Sequence, residues 1–129
     1  MSSVNTTKIE SGERPKYLTF GAGVTAATAN GNSDPAAKTS PYTSFQVIAT
    51  TTAGNVTATV QIQVSNDDSY VNWLNYGTAI TIVSGASPQT GGFPLVAADM
   101  GAAVPWRWVR AVVSNLTGTG AACQILMGY

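Results

Sequence analysis

The sequence predicts an all-β protein, a single antiparallel β-sandwich of jelly-roll-like type preceded by an extended N-terminal arm. Three observations carry that prediction. VTATVQIQV (56–64) alternates without a break, with Val56, Ala58, Val60, Ile62 and Val64 on one face and Thr57, Thr59, Gln61 and Gln63 on the other, which is the period of a half-buried antiparallel strand. Short β-rich runs recur along the chain with Gly-, Asn- and Asp-rich punctuation between them. No segment carries the 3.6-residue periodicity of an amphipathic helix. Periodicity does not separate a jelly roll from an immunoglobulin-like sandwich, but the Cys…Trp…Cys spacing of the latter is absent.

Taken in order, residues 1–16 are polar, charged and aperiodic, and read as an arm. KYLTF (16–20) reads as a short first strand, and GAGVTAATANGNSDPAAKTSPY (21–42) as a long loop. These two make up a 17–42 region of short strand plus loop, and 43–129 the sandwich core. TSFQVIATTT (43–52) sets Phe45, Val47 and Ala49 against Ser44, Gln46 and Ile48. After AGN comes the 56–64 strand, then SNDDS (65–69) as a turn, because such side chains bond their own backbone. YVNWL (70–74) reads as a short strand ended by an NYG turn, with Trp73 plugging one end of the sandwich. TAITIV (78–83) is β-branched, SGASPQTGG (84–92) a loop, FPLVA (93–97) an edge strand because of Pro94, and 98–105 irregular or one helical turn. WRWVRAVVS (106–114) and GAACQILMG (120–128) are the last strands, joined through NLTGTG as a hairpin.

The composition limits function. Charged residues make up 9% of the 129 residues, against about 25% in an average soluble domain. Lys8, Glu10, Glu13, Arg14 and Lys16 lie in the first sixteen residues, so from Tyr17 onward the polar surface rests on Thr, Ser, Asn and Gln. Neutral hydroxyls and amides cost less to desolvate than ions, which suits a chain that packs against neighbouring subunits. Six basic residues balance six acidic ones, leaving no electrostatic footprint for nucleic acid. The N-terminal stretch has no apolar core of a signal peptide, and no run approaches a membrane span. The chain is therefore expected to be made in a cytoplasm and to bind neither nucleic acid nor membrane. The single cysteine, Cys123, sits in a strand pattern and reads as a small buried apolar residue.

Catalytic and metal motifs are weak. GAGVTA (21–26) matches a dinucleotide-binding pattern in form, but TANGNSDP after it does not supply the helix that pattern needs. Histidine is absent, which removes the commonest general base and transition-metal ligand. Asp67 and Asp68 point apart on an extended chain, and read as turn formers ahead of calcium ligands with Asn66. Three Asn-X-Thr sequons, at Asn5, Asn55 and Asn115, have no secretion signal to support them. No catalytic residue, metal site or cofactor is expected, and the chain is not expected to be an enzyme.

The 106–114 strand holds the densest chemistry. Val109, Ala111 and Val113 form its core face with Arg107 at the rim, while Trp106, Trp108, Arg110, Val112 and Ser114 share the other face. Trp and Arg are enriched at protein interfaces, and a Trp–Arg–Trp row also suits stacking on a sugar ring. A third reading keeps this face buried beneath the 21–42 segment.

VQIQVSNDDSYVNWLNYGTAITI and WRWVRAVVSNLTGTGAACQILMG together resemble small β-sandwich proteins of tailed-bacteriophage virions. In these a strand leads into an S-N-D turn and a Trp, and a later aromatic–Arg–aromatic–Val–Arg strand leads into T-G-T-G-A. The S-N-D…W run alone is also similar to discoidin-like, galactose-binding-like sandwiches. The match covers residues 56–128, and departs at Asp68, where many such turns carry Gly. It implies a structural protein of the virion, of head cement or decoration type, that binds the outer surface of the head as a dimer or trimer and bridges coat subunits. Its partners would then be the major coat protein and further copies of itself; the residues' own chemistry offers Trp106, Trp108, Arg110 and Tyr70 as the anchoring face and Lys8, Arg14 and Lys16 of the polar arm as further interface residues. The alternatives are a tail or fibre component that binds carbohydrate through Trp106, Trp108 and Tyr70, and a tail-tube or connector subunit.

Overall fold

A computed structural model describes residues 16–37, 42–83, 95–103 and 105–128, with side chains omitted at Lys16, Tyr42 and 95–103. Lys8 and Arg14, the 84–92 loop and the start of the 93–97 segment lie outside the described residues. Nine strands run through the described chain: β1 (Lys16–Tyr17), β2 (Gly31–Asn32), β3 (Ala36–Ala37), β4 (Tyr42–Thr50), β5 (Ala53–Ser65), β6 (Leu74–Val83), β7 (Leu95–Ala103), β8 (Trp108–Thr119) and β9 (Ala122–Gly128). Every pairing is antiparallel. Sheet one has the order β1-β9-β4-β7, and sheet two the order β2-β8-β5-β6 with β3 also on β8.

The pairs nest. β5 pairs with β6, β4 with β7, β2 and β3 with β8, and β1 with β9, as though one long hairpin had been folded over into two sheets. That is the jelly-roll arrangement. It also overturns the expected terminal hairpin: β8 and β9 follow one another in sequence but belong to opposite sheets. The NLTGTG stretch mostly extends β8, and the chain crosses between sheets at Gly120 and Ala121.

The inward rows are those of the sequence pattern. Phe45, Val47 and Ala49 of β4 and Cys123, Ile125 and Met127 of β9 meet Val56 to Val64 of β5 and Val109, Ala111 and Val113 of β8 in one buried cluster. Cys123 is fully buried among them, and burial pushes its thiol up to about 11, so it serves as a core residue.

Three readings are corrected. The 21–42 segment was expected to be loop, yet β2 and β3 line the edge of β8, at Gly31↔Val113 and Ala36↔Val109. Between them Ser33 is buried; its N–H donates to the Ala111 carbonyl (2.8 Å) and its Oγ accepts from the Ala111 N–H (2.7 Å). The side chain thus continues the ladder where the backbone departs from it. Residues 98–103 of the 98–105 stretch are not helical, because pairing with β4 from Tyr42↔Ala103 to Thr50↔Leu95 holds β7 extended against weak local propensity. The NYG stretch is not a turn but a bulge inside β6, since register slips between Val60↔Ile80 and Ile62↔Tyr76 around Gly77, at φ +70°. The Gln61 amide donates to the Tyr76 and Gly77 carbonyls exposed by that bulge (3.2 and 3.3 Å), so the displaced acceptors stay satisfied.

Candidate functional site

The loop between β5 and β6 (66–73) is organised by one carboxylate. Asp67 Oδ1 accepts from the Ser69 N–H (2.9 Å) and Ser69 Oγ (2.6 Å), and Oδ2 from the N–H groups of Val71 (3.1 Å) and Asn72 (3.0 Å) and from Asn72 Nδ2 (3.0 Å). Ser65 braces the base of the loop, accepting from the Asp67 N–H (2.8 Å) and donating to the Asn72 carbonyl (2.6 Å). These donors hold the Asp67 carboxyl well below the usual carboxylate range, because they stabilise the charged form. The loop also turns through Tyr70 at φ +60°, a conformation uncommon for a bulky residue.

Such a loop has a defined acid response. Because the folded value lies below the ordinary 3.8, the carboxylate's stabilising contribution is fully present above that value and drains away as pH falls toward the depressed one. Unfolding midpoints measured from pH 6 to pH 2 should therefore fall more steeply below about pH 4 in the wild type than in Asp67→Asn, which should also melt lower at neutral pH. Parallel acid limbs in the two proteins would show that the Asp67 network does not set this response.

The braced loop folds back over the outer face of sheet two. Trp108 Nε1–H donates to Asp68 Oδ1 (2.8 Å), and the Tyr70 ring stands perpendicular to the Trp108 ring with centroids 5.0 Å apart. Arg107 lies beside them, its Nε 3.5 Å from Asp68 Oδ1 with both side chains about two-thirds exposed, a geometry worth little in stability. One residue pair along β8, the Arg110 guanidinium sits 4.5 Å from the centre of the Trp73 ring, a cation–π contact. Its Nε–H donates to Gln63 Oε1 (2.8 Å), and Gln63 Nε2 in turn to Asn75 Oδ1 (3.0 Å). Partial burial lowers the Arg110 pKa, and the guanidinium stays charged.

Trp73 therefore does not plug the end of the sandwich. It lies half-buried on the outside, its Nε1–H bonded to the Tyr70 carbonyl (2.9 Å), because the Asp67 turn reverses the chain before it can enter the core. Trp106 takes the more interior place, half-buried against the core cluster. It stands before β8 begins, and together with Trp73, Val71, Leu74, Asn66 and Asn72 it lines a cleft of about 450 Å³ at this end of the molecule. The expected Trp106–Trp108–Arg110 row is thus divided between a cleft and an outer-face cluster. Tyr70 joins Trp108 in the latter. The described part of the 21–42 segment, residues 21–37, does not bury this face, since its strands pair edge to edge with β8. Lys16 pairs with Met127 in β1.

The oxygens considered for calcium are engaged by donors. Asp67 serves its own loop, Asp68 takes the Trp108 indole, and Asn66 Oδ1 accepts from the Arg107 N–H (3.0 Å). No group of three or more potential metal ligands occurs among the described residues. No protein-family model, curated protein or solved structure matches the chain.

Proposed function

We propose that the chain is a structural, non-catalytic component of a particle, and that it acts as a cement or decoration protein on the head of a tailed bacteriophage. Its partners on this reading are the major coat protein and further copies of itself, as dimer or trimer. One observation carries the proposal: the aromatic–arginine cluster of Trp108, Tyr70, Arg110 and Trp73 is fixed in place on the outer face of sheet two. Rigid Trp, Tyr and Arg side chains that are ordered before contact lose little entropy on binding, which is why they concentrate interface energy. The surroundings supply neutral hydroxyls and amides, which a coat subunit desolvates cheaply. The resemblance of residues 56–128 to virion sandwiches supports the same class. Individually weak contacts, repeated over a shell, give strong retention.

Residues 1–15, which carry Lys8 and Arg14, are a second contact on this reading. Their removal leaves the Lys16↔Met127 and Tyr17↔Leu126 pairs of β1 in place. The truncated protein is expected to melt like the full chain while being shed from particles on heating. Counting copies in purified particles against the coat protein, by quantitative mass spectrometry, tests the larger claim. Copies in the hundreds support shell cement; a handful moves the chain to the tail; none sinks the virion assignment.

A further inference from the structure

The cleft beside the Asp67 loop has the chemistry of a site for a neutral sugar. Its volume, about 450 Å³, falls in the usual range of ligand pockets, roughly 300–1,000 Å³. Among the described residues Asp67 is the one ionisable group in its wall, and both carboxylate oxygens are already engaged by loop donors. Neither Arg107 nor Arg110 is among the residues that line it.

What remains unengaged is uncharged. Asn66 uses its Oδ1 on the Arg107 N–H, which leaves its Nδ2 donor without a partner among the described residues. Asn72 uses its Nδ2 on Asp67, which leaves its Oδ1 as an acceptor. The Trp106 indole N–H likewise has no partner among the described residues, although an indole so placed ordinarily finds one. Beside these groups stand the Trp73 and Trp106 rings, with Val71 and Leu74 exposed at 73% and 56%.

A complementary ligand is neutral, has an apolar face for the rings, and carries groups that both donate and accept. Hydroxyls on a pyranose ring meet all three requirements. A phosphate or carboxylate would meet the Asp67 charge, and no basic side chain lines the cleft among the described residues. A purely apolar ligand would leave the indole and amide donors unpaired, which is costly. We propose that this cleft binds one neutral pyranose unit, a hexose or an N-acetylhexosamine, of a polysaccharide. The inference goes beyond the shell-binding reading and does not depend on it. It also differs from a platform of Trp108 and Tyr70, whose rings are packed against each other.

The test uses the isolated full-length chain. Glucose, galactose, N-acetylglucosamine and their short oligosaccharides are titrated while intrinsic tryptophan fluorescence and saturation-transfer NMR are followed. A saturable response to at least one of them is expected. Asn66→Asp, which keeps the acceptor for the Arg107 N–H and removes the free donor, should weaken that response about tenfold or more, as should Trp106→Phe. Trp108→Phe should leave it intact, and the melting temperature of each variant reports that the fold is kept. No saturable response from any of these sugars would overturn the inference. So would a response from sulfated or sialylated sugars alone, or one that neither Asn66→Asp nor Trp106→Phe alters. Particle copy number is unaffected by any of these outcomes, so this site and the cement assignment stand or fall separately.

Discussion

Replacing Phe45 by alanine is expected to remove about 3–5 kcal/mol of stability, the largest loss of any single truncation among the described core residues. Phe45 is 1% exposed and heads the fully buried side chains by size. It lies on β4, which is held between β9 and β7 in sheet one, so neither neighbour can close in to fill the space left. Total stability of a domain this size is about 5–15 kcal/mol, and the variant should unfold at a markedly lower temperature and urea concentration. Val83→Ala is the control: Val83 sits on the edge strand β6 and is 65% exposed, so its change should stay within about 0.5 kcal/mol. Similar melts for Phe45→Ala and wild type would mean that the two sheets do not close over this side chain.

Gly118→Ala is the second large effect. Gly118 has φ +133°, and a Cβ there would lie 2.8 Å from the Asn55 carbonyl oxygen and 3.3 Å from Thr51 Oγ1. The backbone conformation alone costs a side chain about 1–3 kcal/mol. The collision adds to it, because the atom struck is backbone of the facing strand and has no rotamer to move into. Gly23 separates the two contributions: it also has a positive φ, +78°, but nothing within 4 Å of a Cβ. Gly23→Ala should therefore show the conformational cost only, and Gly118→Ala clearly more, when both are measured by chemical denaturation. Equal losses would mean that the strands separate freely at this point.

The two glycines also show where sequence reading stops. Alternation in 56–64 and 106–114 correctly assigned the core faces of β5 and β8, since a strand's sidedness is a local property of period two. Gly77 and Gly118 were read as turns because each supplies a backbone that favours glycine. Bulges require the same conformation as turns, and only the partner strand decides between them. The partner strand is a non-local matter, which is why the sequence predicts a terminal hairpin although β8 and β9 belong to opposite sheets. At the site, period two places Trp108 and Arg110 on the strand face opposite the core, but it groups Trp106 with them and gives Tyr70 no face. The sequence pattern puts Trp73 at the end of the sandwich, whereas the reversal held by Asp67 carries it to the outer face. A signal was present: Ser69 and Asn72 stand two and five residues after Asp67, where one carboxylate can gather their N–H groups. The split of Trp106 from Trp108 had no such sign, since it depends on where β8 begins.

The nested pairing has a consequence for how the chain is made. The pair closest in sequence is β5 with β6, joined by the 66–73 loop; each pair outside it waits for residues synthesised later, and β1 is completed only by β9. During synthesis β1 has no partner among the described strands until β9 has emerged. Assembly therefore proceeds from the middle of the chain outward to its ends, in the slow class of topologies that take roughly milliseconds to seconds. A chain released before residue 122 would hold sheet two with β4 and β7 beside it, and the flank of β4 meant for β9 still open to whatever strand came by.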